Sequence, residues 1–364
     1  MKILLVTTGL GMGGAERQIC DLADEFIRQA HSVTILCLNS RHEVSPKSTQ
    51  VTLHSLSMSK TPWGMVAGLV HAQALILKIR PDVVHSHMFH ANIFCRVLRI
   101  MGAIPKLICT AHSSNEGGLW RTLVYRVTHP LASVNTIVSS AALRSFVDLG
   151  VVRKANQMVV IGNGIDTHRF KYSLSARKLI RSQADLLDDN IFILSIGRLE
   201  EPKDFATLID SFHLLTLSSA KSNQSFVLGI IGQGSQLNEL RQLVNSKGLG
   251  RQIQFLGVQH NTEQWLSACD IYVLSSKHEG LNVSIMEALA CERTVVASDC
   301  EGVRELVANK DLIVPVGDSG AMAKALEQAA SRSLHSDCRI SRVMIEEHYS
   351  IICVVDKWLE VYER

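Results

Sequence analysis

Glu279 and Glu287 stand with seven residues between them, around a short turn, Gly280-Leu281-Asn282-Val283. Asn282 is a residue type that caps helices, and a helix opening there leaves backbone N–H groups without partners. With the helix dipole, those groups make a place for an anion, most simply a phosphate. Upstream, Arg198 and Lys203 lie in Gly197-Arg198-Leu199-Glu200-Glu201-Pro202-Lys203. Arginine offers a planar fork to phosphate oxygens and lysine a compact charge. Set opposite the Gly280 turn, the two cations would clamp a diphosphate; otherwise they are ordinary surface charges. The pair Glu279 and Glu287 fits a glycoside hydrolase poorly. Hydrolase carboxyls lie about 5–9.5 Å apart, whereas eight positions of ideal helix advance about 12 Å.

The elements that must position these residues follow from the apolar pattern. Ile271 to Leu274 reads as a buried strand and the residues to about Ala290 as the helix after the turn. Ile191 to Ile196, Phe226 to Ile231, Gln254 to Leu256 and Thr294 to Ala297 read as further strands, with Gly232-Gln233-Gly234 ending the second of them. At the amino end Ile3 to Thr7 is a strand, Ala15 to about Gln29 a helix and Ser32 to Leu38 the next strand, a β-loop-α-β unit that implies a parallel sheet. Gly9, Gly11 and Gly14 in the first loop satisfy G-x-G-x-x-G. A dinucleotide site also needs an acid at the end of the second strand. That position holds Leu38-Asn39-Ser40, which counts against a dehydrogenase.

Asp82 to His87 and Lys106 to Thr110 read as strands whose carboxyl ends carry His87 and His112, near one crevice. His85, His87 and His90 could instead bind a metal, but no carboxylates stand at ligand spacing. Thr61 to Ile79 is apolar nearly all round and reads as a buried helix, too short and too mixed to span a membrane. Leu119 to Leu131 repeats apolar residues at helical spacing with Trp120, Arg121 and Arg126 among them. Such a helix either packs on a core or lies on an anionic membrane surface.

The length of 364 residues suggests two domains, and 46% hydrophobic against 20% charged residues describes a folded chain. A net charge of +3 is too small to argue for nucleic acid. Nine cysteines without a C-x-x-C pair fit reduced thiols in the cytoplasm. No signal-peptide core and no long uninterrupted apolar run is present. The expected divisions are 1–166, 167–345 and a C-terminal helix over 346–364 that packs back on the first domain.

The chain resembles the retaining glycosyltransferases of family 4, the bacterial sugar-chain assembly enzymes of the GT-B fold. The resemblance rests on Gly13-Gly14-Ala15-Glu16, Val84-His85-Ser86-His87, His112-Ser113 and Asn163-Gly164-Ile165-Asp166. It continues through Gly197-Arg198-Leu199 with Lys203, Gly232-Gln233-Gly234, and the E-x7-E motif from Glu279 to Glu287. Gly162 departs from the pattern, since the family often has proline before Asn-Gly-Ile-Asp. The resemblance implies an α/β fold of two facing, doubly wound, Rossmann-like domains with a nucleotide-sugar in the cleft between them. It implies that Glu287 bonds the ribose and that Arg198 with Lys203 neutralises the leaving diphosphate. Glu279 and the backbone of Gly280, Leu281, Asn282 and Val283 would hold sugar and phosphates. Gly13 and Gly14 would meet the same phosphates, and His112 would line the reacting face of the sugar. It further implies retention of anomeric configuration, no metal or other cofactor, and a UDP-hexose or UDP-N-acetylhexosamine donor, with GDP-mannose second. The acceptor would be an undecaprenyl-diphosphate-linked glycan of O-antigen or capsule assembly, met at the cytoplasmic face of the inner membrane. A catalytically inactive GT-B binding subunit is the rival reading.

Overall fold

The computed structural model describes residues 1–11, 13–59, 61–102, 104–113, 118–219, 224–279, 281–331 and 335–364, the side chains of 335–337 excepted. The chain divides into two compact units, Met1–Ile165 with Tyr349–Arg364, and Asp166–His348.

The first unit runs β1 (Lys2–Thr7), α1 (Gly14–Arg28), β2 (Ser32–Cys37), β3 (Thr52–Ser55), α2 (Pro62–Ile79), β4 (Val83–His87), α3 (Phe89–Ile100), β5 (Leu107–Ala111), α4 (Leu119–Thr128), β6 (Val134–Ile137), α5 (Ser140–Asp148) and β7 (Val159–Val160). The second holds α6 (Leu174–Gln183), β8 (Asn190–Ile196), α7 (Phe205–Ser219), β9 (Ser225–Ile231), α8 (Leu237–Ser246), β10 (Ile253–Gly257), α9 (Thr262–Ala268), β11 (Ile271–Leu274), α10 (Val283–Ala290), β12 (Thr294–Ser298), α11 (Val303–Leu306), β13 (Ile313–Val314), α12 (Ser319–Ser331) and α13 (His335–Tyr349). The last helix, α14 (Ile351–Glu363), belongs to the first unit.

Each unit is built on one parallel sheet, ordered β3-β2-β1-β4-β5-β6-β7 in the first and β10-β9-β8-β11-β12-β13 in the second. Helices cover both faces, so central strands such as β1, β8 and β11 are apolar runs and not alternating ones. The strand order reverses between β1 and β4, and again between β8 and β11. Crevices open at the carboxyl ends of strands where such a reversal occurs, and both sets of motif loops fall there.

The chain re-enters the first unit through a β-bridge between Ile165 and Ser350. Ile165 N–H donates to the Tyr349 carbonyl (2.9 Å), and Ile351 N–H to the Ile165 carbonyl (2.8 Å). Ser350 caps α14 through the Cys353 N–H. That helix then buries Ile351, Val354, Val355, Trp358, Val361 and Tyr362 against α1 and the sheet. Each such burial is worth about 1.5–3 kcal/mol, so the last turn-and-helix is part of the first unit's core.

The apolar character of 61–79 predicts a buried helix, and this is not what forms. In α2 only Gly68, Ala72 and Ile76 are buried, while Trp63 is 84% exposed and Leu77 60%. Hydrophobicity all round a helix shows that it avoids water, not which apolar medium it meets. The helix in Leu119 to Leu131 is likewise open. It buries Tyr125 alone, and Leu119, Trp120, Leu123 and Val127 all face solvent.

Candidate functional site

In the second unit, the loops after β8, β9 and β11 are locked to one another. The Gly197 N–H donates to the Ile231 carbonyl (3.0 Å), Leu199 N–H to the Gln233 carbonyl (2.9 Å) and Gln236 N–H to the Leu199 carbonyl (3.0 Å). Gly232 adopts φ +145°, and a Cβ there would sit 1.9 Å from the Gly197 carbonyl oxygen; only glycine permits this approach. Glu200 accepts from the Ser235 N–H (3.0 Å) and hydroxyl (2.7 Å). These bonds hold its carboxyl below the usual range. Arg198 stands exposed on this braced loop.

Lys203 closes a single 3-10 turn that begins with Glu201-Pro202, proline being favoured at a turn start. Its carbonyl accepts from Ser275 Oγ (2.8 Å) and the Pro202 carbonyl accepts from the Lys277 N–H (2.8 Å). The β8 and β11 loops are thereby tied across the switch point. The Lys203 ammonium binds the Glu279 carboxylate directly, and Ser276 Oγ donates to the same oxygen at 2.7 Å. The cation expected at a diphosphate and the acid expected at a sugar are therefore paired with each other. They meet because their loops flank the switch point, although 76 positions separate them in sequence.

Asn282 is the N-cap of α10, its Oδ1 accepting from the Ile285 N–H (2.9 Å) and the Ser284 hydroxyl (2.8 Å). Ser284 Oγ in turn accepts from Tyr272 OH (2.7 Å). Burial pushes this phenol's pKa up, and the nearby Glu279 and Glu287 charges add to the rise. Leu281 is buried, Val283 opens the helix, and Glu287 is half-buried one turn further on. Gly280 lies outside the described residues. A pocket of about 390 Å³ near Thr294 and Cys338 contains none of these groups.

In the first unit a pocket of about 380 Å³ opens at the β1/β4 switch point. Its walls include Gly9, Gly11, Glu16, Arg41, His112 and Arg121. Gly13 is the N-cap of α1 and Gly14 its first residue, so amide groups gather at this rim as well. His112 follows β5 directly, and its Nε2 lies 3.0 Å from His87 Nδ1. His85 is engaged on both sides, by Tyr362 OH at Nδ1 and Thr110 Oγ1 at Nε2, each at 2.6 Å. Burial lowers the pKa of all three histidines, His112 to about 4. Both nitrogens of His85 are thus engaged, and no cluster of three metal-ligating side chains occurs among the described residues. The bonds of Ser275, Ser276 and Ser235 are not legible in the motifs; the only hint is small polar residues directly after buried strands.

Residues 12–169 match the family model Glycosyltransferase Family 4, and residues 176–342 match Glycosyl transferases group 1. The chain belongs to the family 4, group 1 glycosyltransferases. Among its relatives is a Campylobacter jejuni N-acetylgalactosamine-N,N'-diacetylbacillosaminyl-diphospho-undecaprenol 4-alpha-N-acetylgalactosaminyltransferase. It is 24% identical, over 90% of this chain and 89% of that one. An Escherichia coli UDP-Gal:alpha-D-GlcNAc-diphosphoundecaprenol alpha-1,3-galactosyltransferase is 22% identical, over 81% of this chain and 78% of its own length. Among solved structures, Anabaena HepE in complex with UDP superposes with a TM-score of 0.85 at 19% identity, covering all of both chains. The likeness shows the GT-B fold for this glycosyltransferase.

Proposed function

We propose that this glycosyltransferase moves a hexose or N-acetylhexosamine from a UDP-sugar to an undecaprenyl-diphosphate-linked glycan, retaining the anomeric configuration and using no metal. A GDP-mannose donor is the second choice. The observation that carries this reading is the braced set at the β8/β11 switch point: Arg198, Lys203 and Glu279 beside the Asn282-capped start of α10. When the donor enters, Lys203 exchanges part of its bond with Glu279 for the diphosphate, and Arg198 adds its fork. Preorganised cations receive the charge that develops on the leaving diphosphate, which is the role a metal would otherwise take. The released Glu279 carboxylate and the α10 amides hold sugar and phosphate, while Glu287 bonds the ribose. Gly13 and Gly14 serve the phosphates, and His112 meets the sugar. Relatives named for undecaprenol-diphosphate acceptors, one of them matched over 90% of this chain and 89% of its own, support the acceptor class. O-antigen or a related surface polysaccharide is the corresponding pathway.

The same acceptor places the enzyme at the cytoplasmic face of the inner membrane. The exposed apolar side chains of α2 and α4 support this placement. So does the charge of residues 60–131, which hold eight Lys or Arg against two Asp or Glu, as suits an anionic lipid surface. A thermal-shift panel of UDP-glucose, UDP-galactose, their N-acetylamino forms and GDP-mannose tests the donor class, with and without EDTA. A UDP-sugar should raise the melting temperature equally in both. No shift with any of the five, or a shift that EDTA abolishes, contradicts the proposal.

A further inference from the structure

Two hydrogen-bond chains in the first unit fix where protons sit on three neighbouring histidines. Thr136 Oγ1 donates to the Cys109 carbonyl (3.4 Å), so it accepts from Thr110 Oγ1 (2.7 Å). Thr110, having donated its one proton, accepts from His85 Nε2. His85 therefore carries its proton on Nε2 and receives the Tyr362 hydroxyl at Nδ1. Its ring lies 4.0 Å from that of His87, centre to centre.

His87 is 1% exposed and its Nε2 has no hydrogen-bond partner among the described residues. In a neutral imidazole one nitrogen donates and the other accepts. An N–H buried without a partner is rarer in proteins than an under-used acceptor. The bare nitrogen of His87 is then Nε2, and the proton is on Nδ1, 3.0 Å from His112 Nε2.

We infer that His87 is a positioning residue: it donates from Nδ1 to His112 Nε2 and so locks His112 as the neutral Nδ1–H tautomer. Burial keeps both rings uncharged at neutral pH. His112, which lines the pocket at the β1/β4 switch point, then offers a hydrogen-bond donor there and not a base. A sugar hydroxyl or phosphate oxygen can accept from it, but the proton of an incoming acceptor hydroxyl cannot be taken up at that nitrogen. The consequence for sugar binding rests on the placement of His112 at the transferred sugar; the tautomer itself does not.

Long-range proton–nitrogen spectra of the full chain labelled with ¹⁵N-histidine, at pH 7.5, read the tautomer directly, with His112 assigned through His112→Asn. The expected result is a protonated Nδ1 and a bare Nε2 on His112. His87→Leu should remove that bias, and His87→Asn, whose amide nitrogen replaces Nδ1, should restore it. A His112 protonated at Nε2 in the unaltered protein overturns the lock. Should His87→Leu fail to fold, the unaltered and His87→Asn spectra still decide. Hydrolysis of UDP-N-acetylgalactosamine is the second readout: His87→Leu should lose roughly tenfold in turnover, the loss of about one hydrogen bond, and His87→Asn should recover most of it. If the tautomer is as inferred and turnover is unchanged in His87→Leu, the lock stands and the contact of His112 with the sugar is refuted.

Discussion

Lys203→Ala is the substitution whose outcome most depends on the pairing at the β8/β11 switch point. The ammonium touches Glu279, and the two side chains are 22% and 13% exposed, so water screens the pair only in part. Removing Lys203 does two things. It takes one charged donor from the leaving diphosphate, and it leaves Glu279 with Ser276 as its hydrogen-bonding support in a half-dry site. The first effect should lower turnover by roughly 10²–10³, the scale for losing one preorganised donor to developing charge. The second should reduce stability by about 1–3 kcal/mol, below the 3–5 kcal/mol of a fully buried pair. The double variant Lys203→Ala, Glu279→Ala separates them. Residues in contact couple by about 0.5–3 kcal/mol, so removing both should return part of the melting temperature lost in Lys203→Ala. Turnover should stay low, because the missing charge on the diphosphate is not replaced. Steady-state kinetics and thermal unfolding of the two single variants and the double one make the assay. If Glu279→Ala restores the turnover of Lys203→Ala, the defect was a stranded carboxylate and the clamp is wrong.

The two glutamates should divide by calorimetry with bare UDP: Glu287→Ala weakens binding about ten- to a hundredfold, the worth of a charged hydrogen bond, while Glu279→Ala leaves it nearly intact and damages transfer. Equal loss in both would end that division of labour. Binding to anionic vesicles should fall as salt rises past about 0.15 M; it should also fall in Arg121→Glu with Arg126→Glu, and in Trp63→Ser with Leu77→Ser. Vesicle binding unchanged in both pairs would show that α2 and α4 do not meet lipid. His85, His87 and His112 have folded pKa values below the ordinary 6.5, so the unfolded chain binds more protons as acid is added. Their contribution is intact above about pH 6.5 and is lost as pH falls toward 4. Urea unfolding at pH 7.5 and pH 5 should show a lower midpoint at pH 5, and an unchanged midpoint would mean these histidines are not buried neutral.

Most strands of both sheets are legible because parallel strands covered on two faces are largely apolar, but the two-residue β13 at the edge of the second sheet is too short to show a pattern. β3 is not legible either, since Thr52–Ser55 is exposed throughout and pairs only with β2, leaving no burial to shape its sequence. The crevice residues His87 and His112 can be placed together from the strand ends alone. Their shared hydrogen bond cannot, because it depends on which ring nitrogen each histidine turns toward the other, and only the fold sets that. The Lys203–Glu279 pair is hidden for a similar reason: each residue has a role by its motif, and only the sheet order reveals that they are neighbours. For α2 the sequence reports an aversion to water, and the fold alone reveals that little protein covers it.

One transfer reaction tests the proposed chemistry most directly. The purified enzyme is incubated in EDTA with UDP-N-acetylgalactosamine, UDP-galactose or UDP-glucose and an undecaprenyl-diphosphate-linked oligosaccharide, and the anomeric proton of the product is read by NMR. The account predicts that one of these donors extends the acceptor by one sugar in the α configuration of the donor. A β-linked product, or an acceptor left unextended by every UDP-sugar that the enzyme binds, would contradict it.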